Sequence, residues 1–200
     1  MKQTMVTLDL EGVLVPEIWI AVAERTGIEA LRRTTRDEPD YDVLMRYRLG
    51  LLAEHGLTLG LIQEVIGGLE PMAGARAFLD ELREVTQVVI LSDTFGEFAQ
   101  PLMRKLGWPT ILCHRLVVTE GRVTGYELRQ PNQKQEAVRA FQGLNYRVIA
   151  AGDSFNDTTM LGQADAGFLF HAPASIRAQF PQFPAFEEYG ELMAAIRGAM

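Results

Sequence analysis

Apolar positions along this chain fall into short runs and helical stripes that alternate. Val6, Leu8 and Leu10 are apolar and Asp9 ends the run, which predicts a buried strand carrying a carboxylate at its C-terminal end. Pro16 breaks the pattern. A helix is predicted over 17–26 with Gly27 as its stop, then a polar loop over 33–40 that contains Pro39. Asp40 is placed to cap a helix over 41–55 closed by Gly56, and Thr58 to cap another over 59–66 ended by Gly67, Gly68 and Pro71. No strand signal occurs between Pro16 and Pro71.

Beyond Pro71 the pattern changes. Ala75, Phe78, Leu79 and Leu82 are spaced as one face of a helix. A β-branched run over 88–91 ends at Ser92-Asp93-Thr94. A helix over 97–106 stops at Gly107, with Pro101 oddly inside it. Residues 111–119 and 123–128 read as a hairpin around Glu120-Gly121. A helix over 135–141, a strand over 148–151 ending at Gly152-Asp153, a helix over 158–164 and a strand over 167–170 follow. Helices over 174–179 and 188–197, separated by Pro181 and Pro184, close the chain. Strands alternating with helices predict an α/β fold: a three-layer, Rossmann-like core with a mostly parallel sheet, and a small helical cap inserted after the first strand. Ligands of such sheets bind beyond the C-terminal strand ends, which here carry Asp9, Ser92 and Asp153.

Composition narrows the functions available. The chain has 200 residues, 48% hydrophobic and 22% charged, as expected of a globular protein, and a formal charge of -7. That charge argues against a nucleic-acid or anionic-membrane partner. No apolar run approaches the ~20 residues of a membrane span, and no secretory signal pattern opens the chain. The single cysteine, Cys113, cannot form an internal disulfide, so a cytoplasmic location and a buried structural thiol are expected. His55, His114 and His171 are scattered and read as structural. Leu44, Tyr47 and Leu51 form a stripe that reads as cap core.

The strand-end residues suit phosphoryl transfer. A carboxylate such as Asp9 can attack phosphorus and hold the group as an acyl phosphate. A hard cation bridging both removes much of the repulsion between the two anions, and Asp9 and Asp153 suit magnesium. Ser92 can donate to a phosphate oxygen, and Lys134 can neutralise both carboxylate and phosphate. Glu11, two residues from Asp9, can protonate the leaving oxygen and then deprotonate water.

At these residues the chain resembles the haloacid dehalogenase superfamily of phosphatases and phosphotransferases. Its Asp-x-Asp motif, Ser/Thr, Lys and Gly-Asp-x-x-x-Asp motif match Asp9-Leu10-Glu11, Ser92, Lys134 and Gly152 to Asp157, in that order. The resemblance implies Asp9 as nucleophile and Glu11 as general acid/base. It implies Mg2+ held by Asp9, Asp153 and the main-chain carbonyl of Glu11, with Asp157 orienting a metal-bound water. Glu11 departs from the usual second Asp by one methylene. Within the superfamily the chain looks most similar to phosphoserine phosphatases, and above all to a group that also passes the phosphoryl group to homoserine. That likeness implies a substrate site made of Glu17, Arg48, Ser92, Asp93 and Asn156, with Arg46 a competitor for the role of Arg48. The expected division is a catalytic core of residues 1–15 and 71–200 and a cap of residues 16–70. The expected partners are small molecules, phosphoserine with homoserine as a candidate acceptor, with neither nucleic acid nor membrane, for a monomer or homodimer. Two other readings compete: a phosphatase of a sugar or glycolate phosphate, and a receiver-like phospho-acceptor domain.

Overall fold

The computed structural model describes residues 2–35, 37–38 and 40–200. Arg36 and Pro39, both in the predicted loop, lie outside the described residues. Seven strands form one sheet: β1 (Gln3–Leu8), β2 (Gln87–Phe95), β3 (Thr110–Thr119), β4 (Arg122–Glu127), β5 (Tyr146–Gly152), β6 (Ala166–Phe170) and β7 (Ala185–Phe186). Their order is β4-β3-β2-β1-β5-β6-β7. Every neighbouring pair is parallel except β3 and β4, the predicted hairpin. Both turn residues, Glu120 (φ 49°) and Gly121 (φ 75°), are left-handed, as a tight hairpin requires.

Helices cover both faces because the pleat sends successive side chains to opposite sides. Val6, Leu8, Ile90, Ile149 and Ala151 pack with α4 (Ala75–Val85), α5 (Gly96–Met103) and α9 (Tyr189–Ala199). Met5, Val89, Leu91, Val148 and Ala150 pack with α6 (Gln133–Gly143) and α7 (Thr158–Gln163). The predicted stripe of α4 is buried at all four positions. Between β1 and β2 lie α1 (Ile18–Thr26), α2 (Tyr41–Glu54), α3 (Leu59–Gly67) and an unpredicted 3-10 turn, Glu29–Arg32. Asp40 caps α2 by accepting from the amides of Asp42 (3.0 Å) and Val43 (3.1 Å), and Thr58 caps α3 by accepting from Leu61 (3.2 Å). No single described helix is long and apolar enough to cross a membrane.

Pro101 does lie inside α5. Its missing N–H leaves the carbonyl of Glu97 without its helical partner, and Gln63 of α3 donates to that oxygen at 2.9 Å.

Several expectations need correcting. β2 does not stop at Leu91 but runs through Ser92 to Phe95, with a register shift against β3 between Leu91 and Phe95. Ser92 therefore sits at an irregularity in the strand. Glu17 precedes α1 and makes no side-chain cap. In the stripe read as cap core, Leu44 is buried but Tyr47 is exposed and Leu51 half-buried. Cys113 is half-buried. The two-residue β7, between Pro184 and α9, was too short to give a periodic signal.

Candidate active site

Asp9 follows β1 directly, and its amide donates to the carbonyl of Ala151 on β5 at 3.0 Å. The ends of two adjacent strands are thereby locked together, which brings Asp9 beside Asp153. Asp9 Oδ1 accepts from the amide of Leu10 at 2.7 Å and lies 3.0 Å from Lys134 Nζ. Gly12 turns the chain over Asp153. Its φ is +76°, and a Cβ there would stand 2.5 Å from Asp153 Cγ, so no larger residue fits without displacing that carboxylate.

Asp157 folds back beneath the same loop. Its Oδ2 accepts from the amides of Asp153 and Ser154, each at 3.0 Å, and its Oδ1 from Lys134 Nζ at 2.7 Å. Gly152 leaves room for this return, since a Cβ there would come within 2.4 Å of Asp157 Cγ. Asp9, Asp153 and Asp157 are buried, and each offers a carboxylate oxygen within 4.8 Å of the others.

Three carboxylates and one ammonium in a buried space set each other's charge. Burial, then Asp157 and Asp153, raise the Asp9 carboxyl well above its ordinary value, against the opposing pull of Lys134. Burial alone would lower Lys134, but Asp157, Asp9 and Asp93 outweigh it and hold the ammonium charged. Lys134 lies in the first turn of α6, whose start at Gln133 aims it at the strand ends.

A second cluster surrounds Asp93. Its carboxylate accepts from Asn156 Nδ2 (2.9 Å) and Gln133 Nε2 (3.1 Å), with His114 Nε2 at 3.6 Å and Lys134 Nζ at 3.8 Å. Burial works to raise the Asp93 carboxyl, but Lys134 and the hydrogen bonds from His114, Asn156 and Gln133 hold it well below the usual range. Gln133 Nε2 also donates to the carbonyl of Ser92, and the buried Ser92 Oγ accepts from the amide of Thr94 at 3.3 Å. Tyr41, the first residue of α2, donates its hydroxyl to the carbonyl of Asp93 at 2.7 Å.

On the other side, Glu11 and Glu17 share a hydrogen bond, and Glu11 Oε2 accepts from the amide of Ile18 at 3.4 Å. Burial, then the charge and hydrogen bond of Glu17, push the Glu11 carboxyl up to about 8. Such a group holds a proton at neutral pH. Arg48 is buried, its guanidinium carbon 4.5 Å from the centroid of the Trp19 ring, with Nη2 donating to the carbonyl of Arg33 at 2.8 Å. Among the described residues nothing accepts from its Nε. Burial lowers its pKa to about 10, still protonated at neutral pH. Arg46 is exposed and pairs with Asp42.

The residues picked from sequence therefore meet. Asp9, Glu11, Glu17, Arg48, Ser92, Asp93, Lys134, Asp153 and Asn156 line one cleft of about 80 Å³, with Asp157 behind it. Trp19, Thr34, Thr35 and Tyr41 also line it and were not foreseen. His114, read as a scattered structural histidine, is buried against Asp93. Its Nδ1 accepts from the amide of Arg129 at 3.1 Å, so Nε2 carries the proton toward that carboxylate.

Residues 4–165 match the haloacid dehalogenase-like hydrolase family. The chain is 66% identical over 186 residues to a phosphoserine phosphatase of Pseudomonas syringae pv. tomato, covering 92% of this chain and 78% of that one. It is equally similar to phosphoserine phosphatase ThrH of Pseudomonas aeruginosa, over 92% of this chain and 91% of that one. Among solved structures, a phospho-aspartyl intermediate analogue of a phosphoserine phosphatase superposes with a TM-score of 0.80 at 20% identity, covering 98% and 99% of the two chains. A substrate-bound phosphoserine phosphatase gives 0.78 at 21% identity, covering 94% and 95%. These two likenesses show the shared α/β fold. With the family match spanning most of its length and its acidic motifs gathered at adjoining strand ends, the chain belongs to the haloacid dehalogenase-like hydrolases.

Proposed function

We propose that this chain is a phosphoserine phosphatase that works through an aspartyl phosphate on Asp9 and passes the phosphoryl group to homoserine as well as to water. The observation that carries the reading is the placement of Asp9. It lies 3.0 Å from Lys134 and beside Asp153, while the proton-bearing Glu11 faces the same cleft.

The donor set fits magnesium. Asp9 and Asp153 would hold it through buried oxygens, the family resemblance adds the main-chain carbonyl of Glu11, and the set is all oxygen, as a hard cation prefers. Asp157 fits a supporting role, because both of its oxygens are already engaged by Asp153, Ser154 and Lys134. When bound, magnesium supplies the positive charge that lets an anionic carboxylate approach a phosphate dianion.

The residues divide the remaining work. Asp9 bonds to phosphorus as the ester P–O bond breaks, and Glu11 gives its proton to the departing serine oxygen. Glu11, now a carboxylate, takes a proton from water or from the hydroxyl of homoserine, and that oxygen attacks phosphorus and frees Asp9. Lys134 and Ser92 steady the phosphoryl oxygens. Arg48 suits the substrate carboxylate, since no described residue accepts from its Nε, and Glu17 suits the ammonium. Asn156 bonds to Asp93 and Ser154, so it shapes the phosphate side of the cleft while lining it. Glycolate phosphate would offer Arg48 a carboxylate but Glu17 no cation, and a sugar phosphate would offer only hydroxyls, with neither a carboxylate for Arg48 nor a cation for Glu17.

The division into a core of residues 1–15 and 71–200 and a cap of residues 16–70 follows from this reading. Glu17 and Arg48 come from the helical stretch, and the reacting groups come from strand ends. One copy of the chain furnishes every residue named, and a single half-buried cysteine suits a reducing cytoplasm.

Incubation with phosphoserine, magnesium and graded homoserine, with free phosphate and phosphohomoserine measured together, tests the reading. Phosphate release should fall as phosphohomoserine rises. No phosphohomoserine at high homoserine would reduce the protein to a plain phosphatase. Arg48→Ala should raise KM for phosphoserine about 10- to 100-fold, and an unchanged KM would remove the amino-acid substrate.

A further inference from the structure

The cleft opens into a second, much larger cavity. It measures about 820 Å³ against about 80 Å³ for the cleft, and the two share Tyr41, Asp93, Lys134 and Asn156 in their walls. Nothing in the handling of phosphoserine uses this space, because Glu17 and Arg48 line the cleft and not the groove. The groove carries more apolar surface than the cleft, which is mainly charged. Leu128, just past β4, is 46% exposed, and Phe155, between Asp153 and Asp157, is 57% exposed. Pro131, Pro173 and Ile176 extend the apolar lining. The Phe155 ring lines the groove and is itself supported by the ring of Phe180, 5.8 Å away. Gln130, Asn132, Thr159 and Ser175 lie among these apolar side chains, and a cavity of this volume that mixes apolar surface with convergent polar groups has the character of a small-molecule site.

The charged carboxylate and ammonium of the groove, Asp93 and Lys134, are at the shared neck. Asp93 stands there, with its Oδ1 taken by Gln133 and its Oδ2 by Asn156. The neck is therefore a hydrogen-bonded collar, and Lys134 is reachable from both sides of it. A molecule with an anionic head and an apolar body would match this order of surfaces.

We propose that the groove is a second leaving-group subsite, which takes the ring of an aryl phosphomonoester whose phosphate sits at Asp9. The proposal rests on the aspartyl-phosphate reading of the cleft but not on phosphoserine as the ester. Asp9 bonds to phosphorus, the P–O bond to the aryl oxygen breaks, and Glu11 in the cleft gives that oxygen its proton, so that it leaves as a phenol. Water then gives a proton to Glu11 as its oxygen attacks phosphorus, the bond to Asp9 breaks, and inorganic phosphate is released. A flat ring suits the groove because it buries a large apolar area with little loss of conformational freedom.

The test compares 2-naphthyl phosphate with phosphoserine on the full chain, with magnesium present, in the parent and in Leu128→Ser and Phe155→Ser. Both side chains are exposed, so neither change opens the core. The parent should hydrolyse both esters. Each variant should raise KM for 2-naphthyl phosphate about tenfold, on the scale of apolar area lost, and leave KM and kcat for phosphoserine within about twofold. Turnover of phosphoserine without 2-naphthyl phosphate would overturn the subsite and leave the phosphoserine reading standing. Turnover of 2-naphthyl phosphate alone, with the variant effect, would do the reverse. A KM that is unmoved, or moved equally for both esters, would also overturn the subsite.

Discussion

Replacing Lys134 by methionine keeps most of the side chain's length and removes its charge. In the parent, Nζ lies 3.0 Å from Asp9 and 2.7 Å from Asp157, and all three groups are buried. At an effective dielectric of about 20, each contact is worth about 6 kcal/mol in gross attraction, and desolvation of the ions offsets most of it. Removing one member of such a group leaves uncompensated buried charge and costs about 3–5 kcal/mol. A domain is stable by only about 5–15 kcal/mol, so the loss is large. With a urea slope of about 2 kcal/mol/M, the midpoint should fall by about 1.5–2.5 M at pH 7.5. The measurement is urea unfolding followed by circular dichroism in EDTA, which removes cations that would mask the missing ammonium.

The pH dependence has a fixed sign. Asp9 already has a folded-state pKa raised above its ordinary 3.8, and loss of Lys134 raises it further. A group with a raised folded pKa binds more protons folded than unfolded, so its contribution to stability is lost as pH climbs above the unfolded value. The deficit of the variant should therefore be smallest near pH 4 and widen toward pH 7.5. A midpoint within about 0.3 M of the parent at pH 7.5, or a deficit that grows on acidification, would refute the reasoning.

Three other outcomes are expected. Asp9→Asn should lower phosphate release by at least about a thousandfold, whereas Glu11→Gln should still accumulate an acid-stable aspartyl phosphate slowly; near-parental turnover of Asp9→Asn would unseat the nucleophile. Gly12→Ala forces a left-handed residue at about 1–2 kcal/mol and pushes on Asp153, so half-maximal activity should need about 10- to 100-fold more magnesium. An unchanged magnesium requirement would detach Gly12 from the site. Burial and then Glu97 push the Cys113 thiol up to about 11, so at pH 8 only about one thiol in a thousand is ionised, against about one in four for a free cysteine. Labelling by a disulfide reagent should be about a hundredfold slower in native than in urea-unfolded protein, and equal rates would show that the thiol is not held as described.

The strand ends were legible because each ends an apolar run with a polar residue, as at Leu8-Asp9 and Gly152-Asp153. Helix starts at Asp40 and Thr58 were legible because capping is local chemistry. What escaped depends on residues far apart in the chain. Tyr41 looked like the first residue of a helix, and only the fold brings its hydroxyl to the carbonyl of Asp93, 52 positions away. His114 had no motif around it, and its role beside Asp93 depends on Arg129 fixing the ring. Tyr47 was misplaced because it borders the buried stripe of Leu44, Met45, Arg48 and Leu52 and falls on its exposed edge. Ser92 was read as a polar stop, but pairing with β3 resumes at Phe95 and carries the strand beyond it.

Pro101 was the one residue that contradicted its own local pattern. By withholding an N–H, it turns the carbonyl of Glu97 into an outward-facing acceptor, and Gln63 of α3 plugs into it. A helix weakened in isolation thereby becomes an address, a marked point at which the helical stretch must seat. Pro101→Ala would restore the helical bond and compete with Gln63 for the same oxygen. The helix would gain local order while α3 lost its fixed register. In this chain a flaw in one element carries the information that aligns it with another.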